Sequence, residues 1–505
     1  MRWLTLAILC FDSSRMETIN DGIATGKGSQ ARKTWAALCI TCAGVLIAVL
    51  DTTIVSIALP TIGADLHFPD VSLVWVMDAY LLTSGGFLIV GGRLGDYYGE
   101  KRLFLLGIAT FCAASLACGL ANSQQTLITA RAIQGIAGAI IETVGLAIVT
   151  KLFSGTRERV LAMGVYASVG AMGGALGVLL GGVITSSLSW HWVFFVNVPA
   201  GIAIGALCLV LLPEMRYHER PPPLNLGGAA SITLSSLVAI YAIVNANKVG
   251  WTSLRTLGTL ATSAMLLIVF EWIEHRVSTP LIPRTVRKLP NAVITNIAAG
   301  LWSVALFSWL FNGVLYLQFA RGLTPVQISL AFLPSNLAMA ACAVGLSPKL
   351  VLRYGTKRSI ILGMLTGAVG LLILACVHMN SNIALAALPG MLLIGIGGGI
   401  ALNPLMLVAM SGADPLDCGL VSGILNTSML LGGALGIAIL GALSMIWTAH
   451  FTALGVAPRD ALADGYQVGF FVGAGGAALA AGLVGSLLRP IQESASKQVS
   501  APRTS

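Results

Sequence analysis

The stretch Arg93-Leu-Gly-Asp-Tyr-Tyr-Gly-Glu-Lys-Arg102 has a counterpart in Lys349-Leu-Val-Leu-Arg-Tyr-Gly-Thr-Lys-Arg358, with Gly99 and Gly355 256 residues apart. Two more pairs of landmarks keep nearly that separation. Gly173-Gly-Ala-Leu-Gly177 and Gly432-Gly-Ala-Leu-Gly436 are offset by 259, and Gly135 and Gly395 by 260. A near-constant offset between landmarks is the trace of a duplicated helical unit.

The segments around these landmarks are apolar. Hydrophobic residues make up 56% of the 505 and charged residues 10%, with a mean hydropathy of +0.87. That composition excludes a soluble globular domain. A spanning helix needs about 20 mostly apolar residues to cross about 30 Å of hydrocarbon. Such runs lie at 35–60, 72–92, 103–121, 127–150, 161–184, 193–212, 226–246, 256–276, 293–318, 327–347, 359–378, 384–411, 419–445 and 466–488. The offset divides these fourteen spans into six, two and six. The expected fold class is therefore an all-α integral membrane protein with two six-helix halves and an inserted two-helix hairpin. The segments are a tail at 1–34, a first half at 35–212, the hairpin with its preceding loop at 213–276, a second half at 277–488 and a tail at 489–505. Two such halves facing a central cavity suit an alternating-access transporter, with spans 7 and 8 outside the transport core.

The net charge of +9 could suggest a nucleic-acid partner, but its distribution speaks for membrane topology. Of 29 Lys and Arg, 24 fall in the tails and alternate loops on one side; Lys248, Arg255, Arg321 and Arg459 lie opposite, and Arg131 is inside a span. The positive-inside rule then puts both termini in the cytoplasm of a multi-pass inner or plasma membrane protein. Only Cys39-Ile-Thr-Cys42 among nine cysteines has redox or metal spacing. It sits in an apolar span without a nearby His, so packing is the expected role and no metal is implied. The run Trp3–Cys10 lacks a signal-peptide cleavage site, and Met16 is read as the true initiator.

Charged groups at bilayer depth are costly and are functional candidates by default. At about 1.5 Å per residue, Asp51 in span 1 and Arg131 in span 4 reach the same depth, so an ion pair between them is expected. Protonation of Asp51 would break it, which can couple a proton to a conformational step. Glu142 follows Arg131 by eleven residues, a rotation of about 20° from alignment, so both should face the cavity. There Glu142 could attract a cationic substrate or carry a second proton. Asp78 lies about 9 Å into span 2, within reach of water. Tyr316 and Gln318, with Phe311, are candidates to line the cavity from span 9.

Together these motifs make the chain resemble the fourteen-helix drug:proton antiporters of the major facilitator superfamily. The likeness covers about 35–488. Its marks are Leu50-Asp-Thr-Thr-Ile-Val-Ser-Ile-Ala-Leu-Pro60, the loop motif from Gly92 to Arg102, Arg131-Ala-Ile-Gln-Gly135 and the glycine stretch Gly173 to Gly182. Trp190-His-Trp-Val-Phe-Phe-Val-Asn-Val-Pro199 and Tyr316-Leu-Gln318 follow in the same order. The resemblance implies proton coupling through Asp51, Arg131 and Gln134. It implies a gating latch at Gly92, Gly95, Asp96, Gly99, Lys101 and Arg102, where Asp96 would cap a helix of the other half. It also implies an antiporter helix packed through Gly173, Gly174, Gly177, Gly181 and Gly182. Val178 and His191 depart from the family pattern, which usually has Pro and Arg there.

The function expected is proton-driven export of small amphipathic compounds such as antibiotics or toxic metabolites. A proton gradient is its energy source, no cofactor is needed, and the functional unit is a monomer. Its partners are the substrate, protons and the bilayer; whether a periplasmic adaptor joins is left open. Uptake or exchange of a metabolite is the alternative. An enzyme is disfavoured, since the chain has no HExxH, no nucleotide-binding loop and no clustered His or carboxylate site.

Overall fold

The computed structural model describes residues 27–68, 73, 75–153, 155–214, 223–289, 291–377 and 386–489, which are helices and short connections with no strand among them. Fourteen helices are long and apolar enough to cross a membrane. The choice between Met1 and Met16, and most of both tails, lie outside the described residues.

The first half is α1 Lys27–Asp65, α2 Trp75–Tyr98, α3 Glu100–Gly119, α4 Gln124–Leu152, α5 Thr156–Ser187 and α6 His191–Leu211. The hairpin is α7 Leu226–Val249 and α8 Leu254–Arg276. The second half begins with α9 Ala292–Leu315, which ends in a π turn at Tyr316–Ala320. Next come α10, from Pro325–Ala341 through a π turn at Cys342–Leu346 to Ser347–Tyr354, and α11 Thr356–Ala375. The half closes with α12 Leu388–Ala409, α13 Cys418–Ala453 and α14 Pro458–Leu487.

Local chemistry sets several boundaries. Ser123, Asn225 and Ser253 cap α4, α7 and α8 with their side-chain oxygens, and Thr324 with Gln327 forms a capping box at α10. The two repeated motifs, read as loops from sequence, are helical almost to their ends. Each breaks at one glycine, Gly99 with φ 94° and Gly355 with φ 81°. A side chain would strain that conformation, so glycine permits the one-residue turn from α2 into α3 and from α10 into α11. α6 is interrupted at Val196, shortly before Pro199, which has no N–H to continue a helical ladder.

Within each half the helices pack through small residues, as expected where lipid supplies no hydrophobic drive between them. A β-carbon on Gly363 would come 2.6 Å from Ala401 N, and one on Gly370 2.6 Å from Gly390 O, so α11 and α12 meet backbone to backbone. Between the halves, α2 packs on α13, and α5 on α10 and α12.

The hairpin is less peripheral than its sequence implied. α8 is the outer member, but α7 packs on both α2 and α13, and Ile240 and Leu237 abut Gly85 and Gly86 of α2. Ser235 and Ser263 join α7 to α8, each hydroxyl donating to the other's carbonyl at 2.9 Å. At the hairpin's base the buried Glu274 carboxylate accepts from Asn225 Nδ2 and Leu281 N at 2.8 Å, and from Ile282 N at 2.9 Å. Arg287, which pairs with Glu271 at 2.7 Å, lies 3.6 Å from Glu274. One carboxylate thus ties the start of α7, the end of α8 and the elbow leading to α9.

Candidate functional site

A charged cluster lies inside the first half. Asp51 of α1 and Arg131 of α4 are both 0% exposed, with Arg131 Nη1 donating to Asp51 Oδ2 at 2.5 Å. Gln134, one turn along α4, donates to Asp51 Oδ1 at 2.9 Å and to Ser115 Oγ of α3 at 2.8 Å, while its Oε1 accepts from Arg131 at 2.7 Å. Arg131 Nε donates to Val76 O at 2.9 Å, and the guanidinium lies 4.5 Å from the Tyr80 ring. Removing one partner of such a pair leaves a buried charge, at a cost of about 3–5 kcal/mol. The structure therefore brings Asp51, Arg131 and Gln134 together. It adds Asn197 of α6, whose Nδ2 donates to Asp51 Oδ1 at 2.9 Å.

The other expected residues do not join this cluster. Arg131 is enclosed, its long side chain drawn between helices by Asp51, Val76 and Tyr80, whereas Glu142 is partly buried. The main-chain oxygen of Glu142 accepts from Tyr166 OH at 3.0 Å. Asp78 stands in the first turn of α2, where a carboxylate favours the helix dipole. Tyr316 is buried against Phe470 of α14, its hydroxyl accepting from Arg321 Nε at 3.0 Å. Gln318 is exposed on the π turn.

The glycines of α5 form two stripes. Gly173, Gly177 and Gly181 face α1: their β-carbons would meet Val49, Thr53 and Ile54, and Thr53 Oγ1 donates to Gly173 O at 3.3 Å. This seats α5 against the segment that carries Asp51. At Gly170, Gly174 and Gly182 a β-carbon would meet no described atom within 4 Å. The side chain of Val178 lies outside the described residues; His191 stacks on Trp190 at 3.8 Å, whose Nε1 donates to Asp65.

At the end of the molecule rich in Lys and Arg, two seams join the halves. In the first, the fully buried Asp96 accepts from Gly419 N and Leu420 N of α13, each at 2.8 Å. Arg93 pairs with Asp417, just before α13, at 2.6 Å, and Lys151 of α4 pairs with Glu100 and lies 4.0 Å from Asp96. Gly92 lets the backbones touch, since a β-carbon there would sit 2.0 Å from Gly419 O. Gly95 abuts Val144, Lys101 donates to Leu209 O at 3.2 Å, and Arg102 is exposed. In the second seam, Asn403 Nδ2 donates to Val160 O at 3.2 Å, and a β-carbon on Gly164 would meet Ala343 O at 2.5 Å. At Gly182, five turns beyond Gly164 and so on the same face of α5, a β-carbon would meet no described atom within 4 Å. The halves meet at the basic end through these two seams.

Sequence reasoning missed Asn197, Ser115, Asp417, Lys151 and Asn403. Asn197 stands in a quoted motif, but only its distance to Asp51 exposes it. Asp417 had no signal beyond being an acid in a loop without Lys or Arg.

A family model described as Major Facilitator Superfamily matches residues 41–437. The puromycin resistance protein Pur8 of Streptomyces alboniger is 34% identical over 95% of this chain and 96% of its own length. The cephamycin export protein CmcT of Amycolatopsis lactamdurans is 34% identical over 84% and 88%. The tetracenomycin C resistance and export protein of Streptomyces glaucescens is 31% identical over 84% and 78%. Among solved structures, the human organic anion transporter MFSD10 superposes with a TM-score of 0.64 at 16% identity, covering 89% of this chain and 99% of its own.

Proposed function

The chain belongs to the major facilitator superfamily, and on that premise we propose that it is a proton-coupled exporter of small amphipathic compounds such as antibiotics or toxic metabolites. It is a transporter and not an enzyme. The observation that carries proton coupling is Asp51, a wholly enclosed carboxylate whose charge is balanced by Arg131. Relatives of nearly equal length named for antibiotic resistance and export support the direction.

In this reading the basic end is cytoplasmic, so the described conformation is closed to the cytoplasm, and we take the other side as the open one. A proton entering from that side neutralises Asp51. The ion pair with Arg131 is lost, the preference for the present arrangement falls, and the Asp96 and Arg93 latch opens to give access from the cytoplasm. Substrate then binds as Asp51 releases its proton inward. Glu142, the partly buried acid of α4, gives the cavity a preference for compounds with a positive charge. The α5 stripe of Gly173, Gly177 and Gly181 keeps α1 and α5 moving together. Asp78, Tyr316 and Gln318 are further candidates to line the cavity. The transporter works as a monomer, with the proton gradient in place of any cofactor.

Inverted vesicles with an acidified interior test this, using puromycin, a cephamycin and tetracenomycin C as probes. At least one should accumulate, and Asp51→Asn should abolish accumulation with membrane insertion intact. Pumping of none, together with uptake of a metabolite by whole cells, overturns the proposal in favour of an importer.

A further inference from the structure

The third side-chain donor on Asp51 comes from α6, a helix given no part in the coupling above. Asn197 reaches the carboxylate because α6 lies unusually close to α3. A β-carbon on Gly201, one turn beyond Asn197, would come 2.1 Å from Cys112 Sγ. Asn197 O also faces Cys112 Sγ at 3.8 Å. The close contact at Gly201 and the break at Val196 hold the buried Asn197 amide against Asp51 Oδ1 at 2.9 Å and near Ser115 Oγ at 3.5 Å.

All three groups on Asp51 present N–H, which suits a carboxylate and opposes a neutral acid, whose O–H needs an acceptor. Arg131 has no acceptor to offer. Gln134 cannot reverse, because its Oε1 already accepts from Arg131 and its Nε2 donates to Ser115; turned round, its amino group would meet the guanidinium. Asn197 can reverse. Its Nδ2 serves Asp51 and Ser115, and half a turn about Cβ–Cγ would put Oδ1 where both an acid O–H and the rotatable Ser115 hydroxyl can donate to it.

We propose that Asn197 is the positioning residue of proton coupling: it donates to the ionised Asp51 and, by turning its amide, accepts from the protonated one. The inference rests on Asp51 being the proton carrier. No covalent bond on Asn197 changes. The proton arriving from water is added to Asp51 Oδ1, and N–H···O⁻ is exchanged for O–H···O=C.

The full-length protein in proteoliposomes tests it by two rates, with a compound it is found to pump. One is transport driven by a proton gradient. The other is exchange of labelled for unlabelled substrate at equal pH, during which Asp51 stays ionised. Asn197→Leu should lower gradient-driven transport by about tenfold or more and leave exchange within about threefold, a split that lost packing would not give. Asn197→Ser, which keeps a group able to donate and accept, should restore a large part of the lost rate. The infrared carboxyl band that disappears in Asp51→Asn should move to higher frequency in Asn197→Leu, since its acceptor is gone. Equal loss of both rates, or an unmoved band, overturns the role of Asn197. Intact gradient-driven transport by Asp51→Asn instead overturns the reading of Asp51 on which it rests.

Discussion

The two seams at the basic end occupy equivalent places in the duplicated architecture but close by different chemistry. Between α2 and α13 there are charges: Asp96 on the first N–H groups of α13, Arg93 on Asp417, Lys151 on Glu100. Between α5 and the α10–α12 pair there is a neutral amide on a carbonyl and glycine against backbone. At the position matching Asp96, 256 residues on, stands Leu352, 47% exposed. Duplication kept the glycine turn in both copies and the carboxylate in one. A charge-assisted contact at a helix N-terminus is strong while aligned and is lost as the backbones move apart. A packed neutral contact changes more gradually. On the proposed function, the first seam would act as the catch and the second as the bearing on which the halves rock.

That distinction can be broken by substitution, with gradient-driven transport in vesicles as the measure throughout. Gly92→Leu should have the largest effect, a loss of about a hundredfold or more, because the side chain would meet the Gly419 backbone and not a flexible neighbour. Asp96→Asn should cost about tenfold, since it keeps the shape but removes the charge from the α13 N-terminus. Asn403→Ala, on the neutral seam, removes one hydrogen bond worth about 0.5–1.5 kcal/mol and should cost about threefold. Leu352→Asp should stay within about twofold, because a carboxylate added at an exposed site is screened by water. If Asn403→Ala proves as damaging as Asp96→Asn, the two seams do not differ in kind.

Much of this frame was legible in the chain. Apolar runs of spanning length gave all fourteen helices, and the offset between Gly99 and Gly355 gave their division, because burial in lipid and duplication both leave periodic marks. Depth counting paired Asp51 with Arg131 for the same reason: a helix has a fixed rise. What was not legible depended on contacts between distant segments. Asp417 meets Arg93 across 324 residues, and Asn197 meets Asp51 only because Gly201 lets α6 approach α3. The π turn at Tyr316–Ala320 was not legible either, since it leaves no simple mark in composition. The hairpin was read as peripheral since apolar helices carry no label for what they touch.

The position of α7 also bears on how a lipid-soluble compound would approach. In a plan of two six-helix halves, each side of the bundle presents a cleft to the membrane where the halves meet. Here α7 lies along the cleft between α2 and α13, with Leu237 and Ile240 set on Gly86 and Gly85, and Glu274 anchors it at the hairpin's base. A molecule diffusing within the bilayer would thus meet α7 first on that flank. Two added helices make a two-sided bundle asymmetric toward its own solvent.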